Sequence, residues 1–588
     1  MSRSSPRYVA IAALLFLLGL SAAVFAADPV EVSISGVEGD ARENVQLTLT
    51  VPYGLVREGK VDRPWLDRFA QQSPEKVRKA LEPYGYYNAQ VSARVEQGRD
   101  GKYRLQVVVL PGEPVRVAEV ELELKGAGAG EGDLRRLVSA FPVVKGEVLL
   151  QTDYERGKGA LQSRAVNLGY LDADFPRHEI RIAPGATTAR IFLTLDTGPR
   201  YFFGDARIEG APDYPPGYLK RFVAFKKGET FSYGKLGETQ LNFANSERFK
   251  QVVLTPEKEK EKDAQVPVLV RLTSAPRRTV RPGIGYGTDT GGRFSVRYRD
   301  LNLFHKAHDL DLSIFVAERL QGFAGRYTIP SSTDYRSATS VQLNLQQEDV
   351  TTYQSQLVAL ELSRTIGLGR GEIATPYVKF QQENFTIGNE DSSSRLVLPG
   401  FRFTKNAFND AVRPTRGYST SLDLRGAHPF LGSDSALIQF IAQGSTLLPL
   451  PGRLSLHARA KWGISVLQDP LADLPPSIRF FAGGDQSVRG YSYQSLGPRD
   501  ASGRVVGGKN LLFGSLELER ALYESWGVSI FYDAGNAFND YADVRLEQGA
   551  GVGVHYYTRV GGLNLYVARP LTSGGSSVRI HFTVGFEL

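Results

Sequence analysis

Asp309-Leu310-Asp311-Leu312-Ser313-Ile314-Phe315-Val316 sends Leu310, Leu312, Ile314 and Val316 to one side of an extended chain and Asp309, Asp311 and Ser313 to the other. The same period of two returns in Val341-Gln342-Leu343-Asn344-Leu345-Gln346 and in Leu454-Ser455-Leu456-His457-Ala458-Arg459-Ala460. From about Thr279 to a last run near Ser577, about sixteen such runs follow one another with no long amphipathic helix between them, an even number as closed barrels prefer. Alternation alone does not say which face is inside. A soluble sandwich turns its apolar face inward, whereas a barrel in lipid turns it outward and closes because hydrocarbon satisfies no open edge.

Working outward from those runs, the N-terminus decides between the two. Arg3 and Arg7 precede an apolar stretch at 9–20, and Val24-Phe25-Ala26 supplies a small-residue cleavage pattern. This reads as a secretory signal peptide over residues 1–26; an uncleaved anchor is the alternative, and the stretch is short for one. Signal, strand number and frequent aromatics (31 Phe, 27 Tyr) together favour the transmembrane barrel. The 588 residues contain no cysteine, which excludes disulfides, thiolate metal sites and a cysteine nucleophile. Seven histidines are scattered without metal-ligand spacing, so no metal and no cofactor is expected. A formal charge of +7, two units of it in the leader, is too thinly spread to imply nucleic acid.

Ahead of the barrel, three segments repeat one order of elements at a spacing of roughly 80–85 residues: strand, helices, aromatic turn, two strands. In the first, Ser73-Pro74-Glu75 predicts a helix start and Gly85-Tyr86 its stop. In the second, Thr152 and Glu155 form a capping-box pattern and Gly169-Tyr170 is the stop. In the third, Ser232 opens the helix, Leu236 and Leu241 face inward, and Ser246-Glu247-Arg248-Phe249 replaces the glycine stop. The run Glu257-Lys258-Glu259-Lys260-Glu261-Lys262 reads as a solvated hairpin tip.

Between the alternating runs one connection stands out, from about Gln468 to Lys509, far beyond ordinary loop length. It contains Val488-Arg489-Gly490-Tyr491; farther on come Gly514-Ser515-Leu516-Glu517-Leu518-Glu519 and Phe531-Tyr532-Asp533-Ala534-Gly535. If Leu516, Leu518 and Tyr532 face lipid, then Ser515, Glu517, Phe531 and Asp533 face the lumen. Two lumenal carboxylates on neighbouring strands need a cation, and a guanidinium fork can bridge both, which makes Arg489 the candidate.

These segments resemble the V-R-G-F/Y loop and F-x-D-x-G strand of the BamA superfamily of outer-membrane assembly and translocation barrels. The resemblance implies that the loop folds into the barrel and that Arg489, flanked by Gly490 and Tyr491, pairs with Asp533 and Glu517 beside Phe531 and Gly535. It makes the repeats periplasmic POTRA domains at 27–115, 116–201 and 202–276, with the barrel at 277–588. Three POTRA domains and sixteen strands are most similar to the TamA family, outer-membrane subunits of the translocation and assembly module. The partner so implied is a TamB-like, inner-membrane-anchored periplasmic protein. The ending Val584-Gly585-Phe586-Glu587-Leu588 is similar to that family's last strand, although Leu588 departs from the usual aromatic terminus.

Glycine weakens a strand, and Gly283, Gly285 and Gly287 lie in the first run and Gly585 in the last, so that if these two strands close the barrel their seam is its weakest ladder. The seam they would close is the expected lateral gate, where an unfolded outer-membrane client adds a strand and passes into the surrounding lipid; ordinary barrel curvature is the other reading of those glycines. The expected function is therefore assembly or secretion of β-barrel clients such as autotransporters, without enzymatic activity. A two-partner-secretion transporter with a dedicated substrate and a passive porin or receptor are the alternatives. The first typically carries two POTRA domains and a plug helix, and the second lacks periplasmic repeats.

Overall fold

The computed structural model describes residues 29–57, 60–98, 101–369, 371–388, 390–410, 413–558, 561–572 and 578–587. The signal-peptide reading, Ser577 and Leu588 lie outside them. By packing, the chain divides into two units, one of residues up to 208 with 223–241 and 253–271, the other of 209–222, 242–252 and 272–588.

Each repeat covers one face of a three-stranded sheet with helices. In the first, Val30–Ser35 runs parallel to Tyr103–Leu110, which pairs antiparallel with Gln90–Gln97. Helices Gly39–Thr48 and Arg63–Leu81 bury Val45, Leu66, Val77 and Leu81 against Leu105 and Val107. The second repeats this with Arg116–Lys125, Thr188–Asp196 and Asp174–Ile182 beneath helices Gly132–Ser139 and Gln151–Asn167. A third sheet, ordered Phe249–Pro256, Gln265–Ser274, Phe202–Glu209, has the same strand order.

The aromatic turns are equivalent structural joints. Gly85 and Gly169 end their helices at φ 89° and 93°, a region that costs a residue with a Cβ. Their carbonyls accept the amides of Val115 (2.8 Å) and Tyr201 (2.8 Å), the residues immediately before the next repeat. In the third repeat Glu247 takes the positive φ (59°), and the neighbouring Arg248 carbonyl accepts from Ala275.

Two helix ends and one helix face differ from the sequence reading. The first long helix starts not at Ser73 but eleven positions upstream of Pro74, at Arg63, capped by the Asp62 carboxylate, which accepts from the Trp65 amide. The stripe of Leu66, Phe69, Ala70 and Val77 continues past Pro74, and the buried Ser73 hydroxyl donates to the Phe69 carbonyl at 2.7 Å. Burial of that stripe outweighs the proline's lost hydrogen bond. Thr152 lies within the first turn of its helix, whose N-cap is Leu150, so no capping box forms. Leu236 is buried but Leu241 is 57% exposed; the inward stripe is Leu236, Thr239 and Phe243, at helical spacing, which a step of five residues misses.

The charged hairpin tip is more than a solvated turn. Lys258 pairs with Asp172 and lies 5.1 Å from the centre of the Tyr201 ring, whose hydroxyl donates to Asp172 at 2.7 Å. The hydrogen bonds from Lys258 and then Tyr201 hold the Asp172 carboxyl below its usual range, and the bond to Asp172 pushes the Tyr201 phenol up to about 12.

Beyond these sheets and a two-stranded pair of Val56–Arg57 with Lys60–Val61, sixteen strands form one closed antiparallel barrel. Numbered within the barrel, they open with β1 Arg278–Gly287, β2 Gly291–Leu303, β3 His308–Ala317, β4 Leu320–Pro330, β5 Ala338–Asp349 and β6 Tyr353–Gly369. Next come β7 Glu372–Ile387, β8 Glu390–Asn406, β9 Gly417–Ala427, β10 Leu437–Leu450 and β11 Leu454–Leu467. The last five are β12 Asn510–Ala521, β13 Trp526–Phe538, β14 Glu547–Tyr557, β15 Gly562–Pro570 and β16 Arg579–Glu587. The barrel is inverted relative to a soluble core: Leu516 is 55% exposed on the outside, and the adjacent Glu517 is 7% exposed within. Among the described residues no helix is long and apolar enough to cross a membrane.

Candidate functional site

The long connection between β11 and β12 turns back into the cylinder. Its Phe480, Val488, Tyr491 and Leu496 pack with Leu511, Phe513 and Ala537 of the wall. The buried Arg479 holds its base together by donating to the carbonyls of Leu474 (2.7 Å), Ala472 (2.8 Å) and Val506 (2.9 Å). Apolar wedges thus fix the loop, and a cation ties its two limbs without a carboxylate.

At the tip of this loop Arg489 has no exposed surface. Its Nε donates to Asp533 Oδ2 at 2.7 Å and its Nη2 to Asp533 Oδ1 at 2.8 Å, a bidentate fork on β13. Its Nη1 donates to Glu517 Oε2 at 2.7 Å on β12, Nη2 reaches Ser515 Oγ at 3.2 Å, and the Arg489 amide adds a bond to Asp533 at 3.0 Å. The guanidinium lies 3.5 Å from the centre of the Phe531 ring and 4.5 Å from that of Tyr566. Four of the five N–H directions of the fork are used and two aromatic rings, set edge to face with each other, pack against the guanidinium, the arrangement for which arginine is suited and lysine is not.

The other positions singled out from the sequence surround this clamp. Gly490 sits at φ +97°, where a side chain would be strained, and its amide donates to His581 Nε2 at 2.9 Å on β16. The Tyr491 hydroxyl donates to Glu547 at 2.9 Å on β14. Gly535 lies two residues beyond Asp533, opposite Phe513, where a Cβ would come 2.8 Å from the Leu512 carbonyl. Gly283, Gly285 and Gly287 are elsewhere, on the ladder between β1 and β16, and Gly285 stands directly opposite Gly585.

Residues not singled out extend the network. The Ser529 hydroxyl donates to Glu517 at 2.7 Å, and His555 Nε2 is 3.1 Å from the same carboxylate. His555 Nδ1 meets Asn564 Oδ1 at 2.8 Å, and the Asn564 amide reaches Thr583 Oγ1 at 3.3 Å. A polar path therefore runs from Arg489 over β12, β13, β14 and β15 to β16, one residue on each strand. Strand parity would have placed His555 and His581 in the lumen, but nothing in sequence spacing marks them as partners of the loop.

Residues 279–588 match the Omp85 superfamily domain, and residues 31–111 match the POTRA domain, TamA domain 1. The outer membrane protein assembly factor BamA of Nitratidesulfovibrio vulgaris is 24% identical over 543 residues, covering 85% of this chain and 66% of its own length. The factor of the same name from Neisseria meningitidis is 21% identical over 536 residues, covering 81% and 64%. The chain thus spans slightly less than two thirds of the length of these curated relatives. The crystal structure of BamA from Haemophilus ducreyi lacking POTRA domains 1-3 shares the fold with a TM-score of 0.65 at 17% identity, covering 80% of this chain and 100% of that one.

Proposed function

From the premise that the chain belongs to the Omp85 superfamily, we propose that it assembles or translocates outer-membrane proteins by opening its barrel sideways between β1 and β16. The protein resides in the outer membrane with its POTRA region in the periplasm. It inserts or secretes β-barrel clients, autotransporters among them, and it does so without a catalytic site or cofactor. Its open α+β sheet edges serve a TamB-like partner anchored in the inner membrane and the incoming unfolded clients.

The observation that carries this reading is the uneven ladder. Strands β7 and β8 pair continuously from Glu372 with Lys405 to Ile387 with Glu390. Strands β1 and β16 pair only from Gly283 with Glu587 to Gly287 with Thr583, extended by three bonds between Thr288 and Phe582. Among the described residues, 278–282 pair with β2 alone. Opening that short, glycine-centred ladder leaves two strand edges to which a client strand adds through main-chain hydrogen bonds. The energetic cost is small because little pairing is lost and the client replaces it.

The chain has no native cysteine, so a lock across the seam is clean. The double variant G285C/G585C, oxidised, is expected to stop client insertion into phospholipid vesicles, and a reductant restores it. Full activity of the oxidised barrel would remove the gate from the mechanism.

A further inference from the structure

The loop that carries Arg489 also holds both sides of the seam, and we propose that His581 and Asp289 latch it shut. This rests on the lateral-opening reading above. His581 is on β16, and Asp289 lies in the turn joining β1 to β2; the loop residue between them is Asp485. The Asp485 amide donates to Asp289 Oδ2 at 2.7 Å, and its carboxylate meets His581 Nδ1 at 2.5 Å. The second imidazole nitrogen accepts the Gly490 amide at 2.9 Å. One rigid loop segment is thereby bonded to the first hairpin and to the last strand, on either side of the weak ladder. Arg489, between Asp485 and Gly490 in sequence, is clamped to β12 and β13, so the latch is anchored to the wall by the buried ion pairs.

The hydrogen bonds also decide what this cluster is. Asp485 and His581 are buried, Asp289 adjoins them, and the ligand atoms of the three lie within 4.8 Å of one another, which is the composition of a metal site. A backbone amide can only donate, so the Nε2 that faces Gly490 is the unprotonated nitrogen. Nδ1 then carries the proton and donates it to Asp485, which occupies the lone pair a metal would need. The imidazole works as a two-ended connector, acceptor for one loop residue and donor to another. Separating β16 from β1 breaks either the His581 bonds or the Asp289 bond, or lifts the loop from its seat. In each case a charge-assisted hydrogen bond in a water-poor interior is lost.

His581 and Asp289 are positioning residues for opening, and the test reads opening itself without a client. Spin labels at I284C and I580C, both on the outer face, report the distance across the seam in the full chain in lipid nanodiscs. Relative to the labelled parent, H581A and D289A are each expected to raise the separated population roughly tenfold or more, the size that follows from losing one charge-assisted hydrogen bond. H581Q, which keeps one donor and one acceptor, restores part of the closed population. Resistance of the folded barrel to heat in detergent stays at the parent level, which separates a latch from a general support of the fold. Should H581A fail to fold, D289A carries the test, because Asp289 is in a turn outside the ladder. Distance distributions unchanged in D289A, or in H581A where it folds, would overturn the latch. Failure of the gate reading shows elsewhere, as full client insertion by the oxidised G285C/G585C barrel, and leaves the distance measurement to stand on its own.

Discussion

Two regions of one cylinder are built on opposite terms. Between β12, β13 and the loop, Arg489 makes charged bonds to two carboxylates, packs against two aromatic rings and is sealed from water. Between β1 and β16 there are glycine backbones facing each other over a short ladder. The clamp is costly to take apart because each lost bond leaves a buried charge, whereas the ladder of the seam itself consists mainly of exchangeable main-chain bonds and is held by the latch beside it. A barrel that must open at one place and nowhere else needs this inequality, and the loop places both kinds of construction within reach of one segment.

The largest expected effect comes from erasing the inequality on its strong side. Asp533→Ala strands the Arg489 charge in the lumen, and we expect a loss on the order of 3–5 kcal/mol from the loop's seating. Limited proteolysis of the folded barrel then cuts within 468–509, where the parent resists, and client insertion falls with it. Phe531→Leu keeps the ion pairs but removes the ring beneath the guanidinium; about 1–2 kcal/mol is expected, read as faster proteolysis of the same loop with the barrel intact. On the weak side, Gly285→Ala places a Cβ 2.6 Å from the Val584 carbonyl, so it loosens the ladder despite alanine being the stiffer residue. Hydrogen exchange along β16 should rise in that variant by an amount worth roughly 1 kcal/mol while β12 and β13 stay protected.

The smallest effect lies outside the barrel and checks that the comparison is specific to it. Asp172 has its carboxyl held low by Lys258 and Tyr201. A depressed folded-state value means that this pair adds stability above about pH 4, the range of an unfolded aspartate, and that the contribution disappears as pH falls through the lower folded value. Being largely open to solvent, it is worth less than about 1 kcal/mol. Exchange protection around Tyr201 should therefore drop on acidification in the parent and be pH-insensitive in D172N, with the barrel ladders unaffected in both.

How far the sequence could be read follows from the range over which each signal acts. Strand parity is local, and it placed Ser515, Glu517, Phe531 and Asp533 on one face from their spacing alone; the barrel and its sixteen strands follow from the same alternation. Helix starts were less legible. Ser73-Pro74 has the chemistry of a beginning, yet the apolar stripe on both sides of it carries the helix through. Least legible were His581 and Asp289, close to opposite ends of the barrel sequence and each an ordinary polar residue at a strand or turn. Only closure of the barrel brings them to Asp485, and closure is not written in the spacing of any one segment.

The central claim is that clients pass along the edge of β1. A photo-crosslinking residue at Ile284 or Tyr286, probed while a barrel client is stalled during assembly, tests it most directly. The account predicts that the client's terminal strand is captured there, with capture lost when the G285C/G585C bond is closed. Capture confined to lumenal positions such as Ser515, with none on β1, would contradict it.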